Sequence, residues 1–376
     1  MSLVFKLASR NLFHDRLRFV ATVIGIVFSI VLVTVQMGLF VSFDRMVTTM
    51  IDHAPADLWI VPSGTKCFED PSLLDERERF RALSISGVRE AMPLVIGFAQ
   101  WKTPAGGTTP VFMIGSDMRS PGLHAWDLIE GSADALEVPG TIAVDQSYLE
   151  RLGIAGLGDT AEIGDQKVRV VALTKGIRSF TTTPYVFTSI ERARSFTGTA
   201  PNKLSYLLVR VAPDADVASV QTRLQQVSGA EVLTAGEFAS RSRSFWLFGT
   251  GAGAALFAGA LLGMIVGTVI VAQTLYSSTK EHLNEFATLR AMGSSNRYIH
   301  KVIIFQALLS AVIGFGIAAL AGWAVVDATA ESALPVMMTP LLMVSLFALT
   351  VAMCVLSALA AIVQVTRIDP VMVFTR

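Results

Sequence analysis

Phe19–Phe43 runs 25 residues without a charged side chain. Three more uncharged runs, Ser244–Thr279, Val302–Val326 and Ser332–Thr366, follow a polar stretch of about 200 residues. A helix crosses a bilayer core with roughly 20 apolar residues, so each run is long enough to span. Only 16% of residues are charged, and the mean hydropathy is +0.56, which is far from a soluble chain of this size. The expected fold is an integral membrane α-helical protein. It has four transmembrane helices and one large mixed α/β domain between helices 1 and 2.

Charge placement orients this layout, because short loops rich in Lys and Arg stay in the cytoplasm. Lys6, Arg10, Arg16 and Arg18 precede the first span, and Lys280, Arg290, Arg297 and Lys301 lie between the second and third. The connection after the third span carries Asp327 and Glu331 and no Lys or Arg, and the tail adds Arg367 and Arg376. The predicted order is therefore a cytoplasmic N-terminal helix (1–18), first span (19–43), extracytoplasmic domain (44–243) and second span (248–275). A cytoplasmic loop (276–300), third span (302–326), short outer loop (327–340), fourth span (341–366) and cytoplasmic tail (367–376) complete it. The 20 Lys and Arg of the outer domain do not oppose this, since long domains translocate largely regardless of charge. The first run exceeds the 7–15 residues of a signal-peptide core and lacks an A-x-A-like site after Phe43, so it is expected to stay attached. Residues 1–18 read equally as an amphipathic interfacial helix, with Leu3, Leu7, Leu12 and Phe13 on its apolar side, or as a basic membrane flank.

In the outer domain, alternating and β-branched runs predict strands at Leu58–Val61, Leu94–Lys102, Pro110–Gly115, Thr141–Val144, Val168–Leu173, Tyr185–Thr188 and Leu204–Val211. Helical spacing predicts Asp75–Leu83 and Val217–Val227. Met50–Trp59 and Phe238–Trp246 flank the membrane and read as interfacial aromatic anchors, with transmission of motion as the alternative. The second span places Gly251, Ala255, Gly259, Gly263 and Gly267 four apart, and the third repeats this with Ser310, Gly314, Ala318 and Gly322. Small residues at that spacing form one helix face that a second backbone can approach closely, in the same chain or in another copy.

Catalytic patterns are missing from the sequence. It holds no G-x-x-x-x-G-K-S/T, H-E-x-x-H, C-x-x-C or G-x-S-x-G, and its five histidines have no metal-ligand spacing. Cys67 and Cys354 fall in different regions, so no disulfide, metal or cofactor is expected. The uncharged spans offer no proton or ion relay. Net charge is zero, which gives no reason to expect nucleic acid.

Between the second and third spans, Ser278 and Glu281 have capping-box spacing. The helix they predict carries Leu283, Phe286, Leu289 and Arg290 on one side and ends at Met292, with Gly293 as its stop and Ser294 or Ser295 capping the next helix. Such a helix is either a tight connector on the headgroups or a docking surface for a partner. The stretch Glu285, Ala287, Leu289, Arg290, Ala291, Met292, Gly293 resembles the signature of the MacB/FtsX-type (type VII) ABC transporter permease family. It departs at His282 and Ser294, where that family usually has arginine and alanine. The ending around Asp369-Pro370 and the order of one span, large domain, three spans are similar too. Within the outer domain, Ala56–Val61, Gly115–Asp117, Ser179–Phe180, Pro184–Ser189 and Arg243–Trp246 resemble DevC-like exporter permeases.

The resemblance implies a MacB-like periplasmic core domain and a non-catalytic, multi-pass subunit of a bacterial inner (plasma) membrane. It implies a homodimer driven by a separate ATPase dimer, which holds the ATP and Mg. Glu281, Glu285 and Arg290 would pair with the ATPase surface, Leu283 and Phe286 would fill its groove, and Leu289, Met292 and Gly293 would shape the coupling helix. An adaptor protein and an outer-membrane channel would extend an export path for an amphiphilic, lipid-like or peptide cargo. FtsX-like control of a cell-wall hydrolase and lipoprotein release are the alternatives within the family.

Overall fold

The computed structural model describes residues 3–70, 72–104, 106–281, 288 and 295–366. The chain divides into two compact units, one of Met1–Val41, Ala254–Ala330 and Pro335–Arg376, the other of Ser42–Gly253 with Glu331–Leu334. Helix α1 (Leu3–His14) opens the first, and α2 (Arg16–Asp52) begins there and ends in the second.

The second unit is a mixed sheet with helices. Its strands are β1 (Leu58–Val61), β2 (Leu74–Asp75), β3 (Val88–Lys102), β4 (Thr108–Ser116), β5 (Leu128–Gly131), β6 (Thr141–Asp145), β7 (Thr160–Ile163), β8 (Gln166–Thr174), β9 (Tyr185–Ser189), β10 (Lys203–Leu204), β11 (Tyr206–Val211) and β12 (Glu231–Thr234). Among them run α3 (Arg77–Leu83), α4 (Leu149–Leu152), α5 (Ile190–Thr197), α6 (Val217–Val227) and α7 (Ala235–Ser244), and the π-helical turn Phe245–Gly249 follows. The sheet order is β12-β1-β11-β3-β4-β9-β6-β8-β5, with β7 pairing β3 and β8, while β2 and β10 form a separate pair. The β4–β9 and β6–β8 pairings are parallel and the others antiparallel.

Each expected strand falls on an observed one, because these runs are rich in β-branched and aromatic residues that pack on a pleated face. The exception in detail is Leu204–Val211, which splits at Ser205. There the Ser205 hydroxyl accepts from Ile96 N at 3.0 Å and donates to Ile96 O at 3.1 Å, so a side chain takes over part of the backbone ladder. The expected helix Asp75–Leu83 starts later, at Arg77, because Asp75 is taken into β2. Gly115 of β4 lies directly under Ala193 of α5, where an added Cβ would also meet Ile190 Cα at 3.2 Å. Only glycine lets that helix lie so close to the strand.

Three large buried clusters and a smaller one around Phe180 lie in this unit. One is aromatic, with Trp59, Phe68, Phe112, Tyr185, Tyr206 and Phe238 around the last residues of α2, Met50 and Ile51. A second joins α3, α5 and α6 to β1, β3 and β11, and the third lies around Trp101 and Tyr148.

The first unit is completed by α8 (Ala252–Glu281), α9 (Asn296–Thr329) and α10 (Pro340–Thr366). Together with α2 these are four helices long and apolar enough to cross a membrane. Helix α1 packs on α9 and buries Ala8 and Leu12, while Phe13 stays half exposed.

Candidate functional site

The turn between α8 and α9 differs from its expected form where it is described. Helix α8 continues unbroken to Glu281, so Ser278 lies inside it and starts no new helix. The residue types fit a cap, but the turn before them is already helical. Ser295 does stand at the N-cap of α9, with extended φ −76° and ψ 153° but no side-chain capping bond. Glu281, expected to meet a partner, is engaged within the chain. Arg18 grips both its carboxylate oxygens and also donates to Ser277 O at 3.4 Å. Leu283, Glu285, Phe286, Leu289, Arg290, Met292 and Gly293 lie outside the described residues.

The small-residue faces meet helices of the same chain. Gly259 lies against Gln36, Gly263 against Leu32 and Val33, and Gly267 against Ser29 and Met353. Gly314 lies against Ile26, Gly322 against Thr34 and Met338, and Ser310 and Ala318 are buried beside them. The Ser29 hydroxyl donates to Gly263 O at 2.6 Å across the contact. Two positions depart from the expected stripe. Gly251 precedes α8 in a left-handed conformation (φ +79°) that ends the preceding π-helical turn, and Ala255 is exposed.

A second candidate site lies in the sheet-containing unit, where the chain leaves α2 and approaches α8. Phe180 is buried among Met46, Val47, Phe43, Trp246 and Leu334. Its ring centroid is 4.8 Å from Phe43 and 4.4 Å from Trp246. Arg243 and Asp44 form an ion pair at 2.5 Å, which ties α7 to α2. One loop residue thus touches the end of the first span helix, the lead-in to the second and the connection between the third and fourth.

That loop, 175–184, is clamped on its own side. Ile177 N donates to Asp145 Oδ2 at 2.8 Å and Ser179 N to Tyr148 Oη at 2.9 Å. Thr182 holds φ +60°, an unfavourable conformation for a β-branched residue that costs on the order of 1–3 kcal/mol. Arg151 fixes it by donating to Thr182 Oγ1 at 3.0 Å. Trp59 and Phe238 are fully buried in the aromatic cluster, so the interfacial-anchor reading fails for both. Their rings hold the end of α2 and the start of α7 in one core.

Trp246, which packs on Phe180, also meets Glu69, a residue with no signal in the sequence. It is half-buried, and its Oε1 accepts from Tyr185 Oη at 2.9 Å while Oε2 accepts from Trp246 Nε1 at 3.1 Å. Among the described residues no Lys, Arg or His pairs with it. Burial pushes its carboxyl above the usual range, against the pull of those two donors. Burial, helped by the Glu69 charge, pushes the neighbouring Cys67 thiol up to about 12. Burial also raises Tyr185 and Tyr206 well above the ordinary phenol, so all three groups remain neutral donors around the carboxylate. Among the described residues no cluster of His, Cys, Asp and Glu could hold a metal ion.

Two family models match the chain along this layout. The MacB-like periplasmic core domain family matches residues 19–227, and the FtsX-like permease C-terminal family matches 257–370. Uncharacterized ABC transporter permeases of two Mycobacterium tuberculosis strains, CDC 1551 and H37Rv, are each 25% identical over 315 residues. These alignments span 82% of this chain and 83% of each relative. The periplasmic region of MacB from Actinobacillus actinomycetemcomitans aligns with a TM-score of 0.38 at 12% identity, over 50% of this chain and 92% of that one. The extracellular domain of the noncanonic ABC-type transporter YknZ from Gram-positive bacteria gives 0.34 at 16% identity, over 48% and 99%. The two family matches cover the first span with most of the sheet-containing unit and then the last three spans, and on them the chain belongs to the MacB/FtsX-type family of ABC transporter permeases.

Proposed function

We propose that this permease is the membrane subunit of an ATP-driven exporter of a bacterial inner membrane. It works as a homodimer with a separate cytoplasmic ATPase dimer, which supplies the energy through the turn after α8. Motion of the span helices reaches the outer domain through the cluster around Phe180, and the domain then moves an amphiphilic, lipid-like or peptide cargo. An adaptor protein and an outer-membrane channel continue the path.

One observation carries this reading: a single loop residue, Phe180, packs on segments that lead to all four spans. A chain that ran an intramembrane proton or ion relay, or opened a charged pore, would need ionisable groups in its spans, and the uncharged runs hold none. A chain that transmits force needs stiff helices anchored in a packed core. Met50 and Ile51 of α2 and Phe238 of α7 are anchored in that way.

Replacing Glu285 and Arg290 together by alanine tests the coupling role of the turn. The variant is expected to reach the membrane at normal levels, yet lose at least about tenfold of permease-dependent ATP hydrolysis, the equivalent of one lost charged contact of about 1.4 kcal/mol or more. Unchanged hydrolysis and export in the double variant would remove the turn from the mechanism.

A further inference from the structure

Glu69 occupies a place that a force-transmitting junction does not require. A glutamine could serve the same two partners, yet the chain puts a carboxyl between Tyr185 of the sheet and Trp246 of the π-helical turn. Both of its partners are neutral donors. The charged and titratable groups around it supply no cation. Cys67 and Asp70 lie on its own loop, and Tyr206 of β11 donates to the Cys67, Phe68 and Asp70 carbonyls. Tyr148 lies behind Tyr185, and the positive charge of Arg178 and Arg151 acts on that phenol. On the α7 side, Arg243 is paired with Asp44, and the Lys66 ammonium lies 5.9 Å over the Phe245 ring.

We propose that Glu69 is a proton-sensitive fastener of the junction: protonated, it keeps Trp246 docked against the outer domain, and ionised, it favours release of Trp246 into water. The geometry supports both halves. A neutral carboxyl can accept the Trp246 N–H on its carbonyl oxygen and donate its own O–H to Tyr185 Oη, so both carboxyl oxygens and the Trp246 N–H stay paired. An ionised carboxyl keeps both donors but leaves a half-buried negative charge with no counter-ion among the described residues, and undocking relieves that by fuller hydration.

The direction of the pH effect follows. The docked carboxyl holds its proton more tightly than a hydrated one, whose ordinary value is about 4.3. Docking is therefore fully favoured below about pH 4. It weakens as pH rises through the window above that value, by at most about tenfold per pH unit, and levels off above the docked value. The proton released on undocking goes to the outer solvent. This deepens the transmission reading, on which its meaning for export rests.

Cys67 lies buried under Glu69 and reports undocking directly. The full-length chain carrying Cys354→Ala is placed in lipid nanodiscs without ATPase or cargo, and labelled with a hydrophilic maleimide between pH 4.5 and 8. The same chain with Glu69→Gln serves as reference, because its neutral amide can satisfy both partners. It lacks the Glu69 charge that raises the thiol. That charge makes Cys67 less reactive as Glu69 ionises, so it can only lower the ratio of the two labelling rates and cannot produce a rise. The labelling rate of the chain that keeps Glu69, divided by that of the Glu69→Gln reference, is expected to rise up to about tenfold per pH unit and then level off. Tyr185→Phe removes a donor that favours the ionised form, so it extends the rise to higher pH; this holds the test open if Glu69→Gln does not fold. A flat or falling ratio, or a profile unmoved by Tyr185→Phe, overturns the proposal. The assay needs no nucleotide, so that failure leaves the transmission reading standing.

Discussion

Gly267→Leu is expected to dismantle the packing of α8 on α2. A Cβ at residue 267 would stand 2.5 Å from Ser29 Cβ and 2.9 Å from Met353 Sδ. Ser29 Cβ is fixed to the α2 backbone and cannot swing away, so the helices must separate. Replacing a helical glycine gains about 1 kcal/mol of propensity. Overpacking costs about 3 kcal/mol, more for a full leucine, so strain wins. The measurement is the fraction surviving a graded heat challenge in detergent, where the variant should aggregate well below wild type. Gly267→Ala with Ser29→Gly moves the small residue to the other helix and should recover most of the loss. The shortfall is the Ser29–Gly263 hydrogen bond, on average about 0.6 kcal/mol in a membrane. Wild-type behaviour of Gly267→Leu would mean that this face is not packed as described. Because the glycines face helices of the same chain, the expected defect is in the fold of each subunit rather than in dimer assembly alone.

Phe180→Ala gives the largest expected effect on function. Truncating a buried phenylalanine costs about 3–5 kcal/mol, and here it also deletes ring pairs with Phe43 and Trp246 worth about 0.5–1.5 kcal/mol each. The aromatic core around Trp59 and the sheet clusters keep their own contacts, so the sheet-containing unit should remain folded. The predicted phenotype is a complex that still hydrolyses ATP but exports at least about tenfold less per ATP. Phe180→Leu, which keeps most of the volume, should fall between. Export per ATP at the wild-type level in Phe180→Ala would show that motion takes another route.

The parts legible in the sequence are those set by local pattern. Each span is an uncharged run longer than a bilayer core, and the expected strands carry their own β-branched alternation. Helix α7 was illegible because Ala235–Ser244 holds a single large apolar residue, Phe238, and its identity rests on a Thr234–Glu237 capping box. Strand β7 is only Thr160–Ile163, with one polar face, and exists because β8 and β3 flank it.

The candidate sites divide in the same way. The small-residue stripe was visible as a period of four, but its start was misplaced at Gly251, where only backbone geometry reveals the turn. Arg18 and Glu281 are 263 residues apart, and no spacing rule pairs them. Trp59 and Phe238 were read as interfacial anchors because aromatics flanking a span commonly are. Burial in a shared core is a tertiary fact that composition cannot carry. Glu69 gave no signal at all: Cys67-Phe68-Glu69-Asp70 has no periodicity, and the residue matters only through Tyr185 and Trp246, which the fold brings to it.

Hydrogen exchange of the segments around Phe180, in the permease bound to its ATPase in nanodiscs, is the most direct test of the central claim. Peptides spanning 175–184 and 241–250 are compared between a nucleotide-free complex and one trapped with a non-hydrolysable ATP analogue. Transmission predicts a change in protection of at least about fivefold in both segments, a coupling of about 1 kcal/mol, and its loss in the Glu285→Ala/Arg290→Ala variant. Identical protection in the two nucleotide states of the wild-type complex would contradict the account.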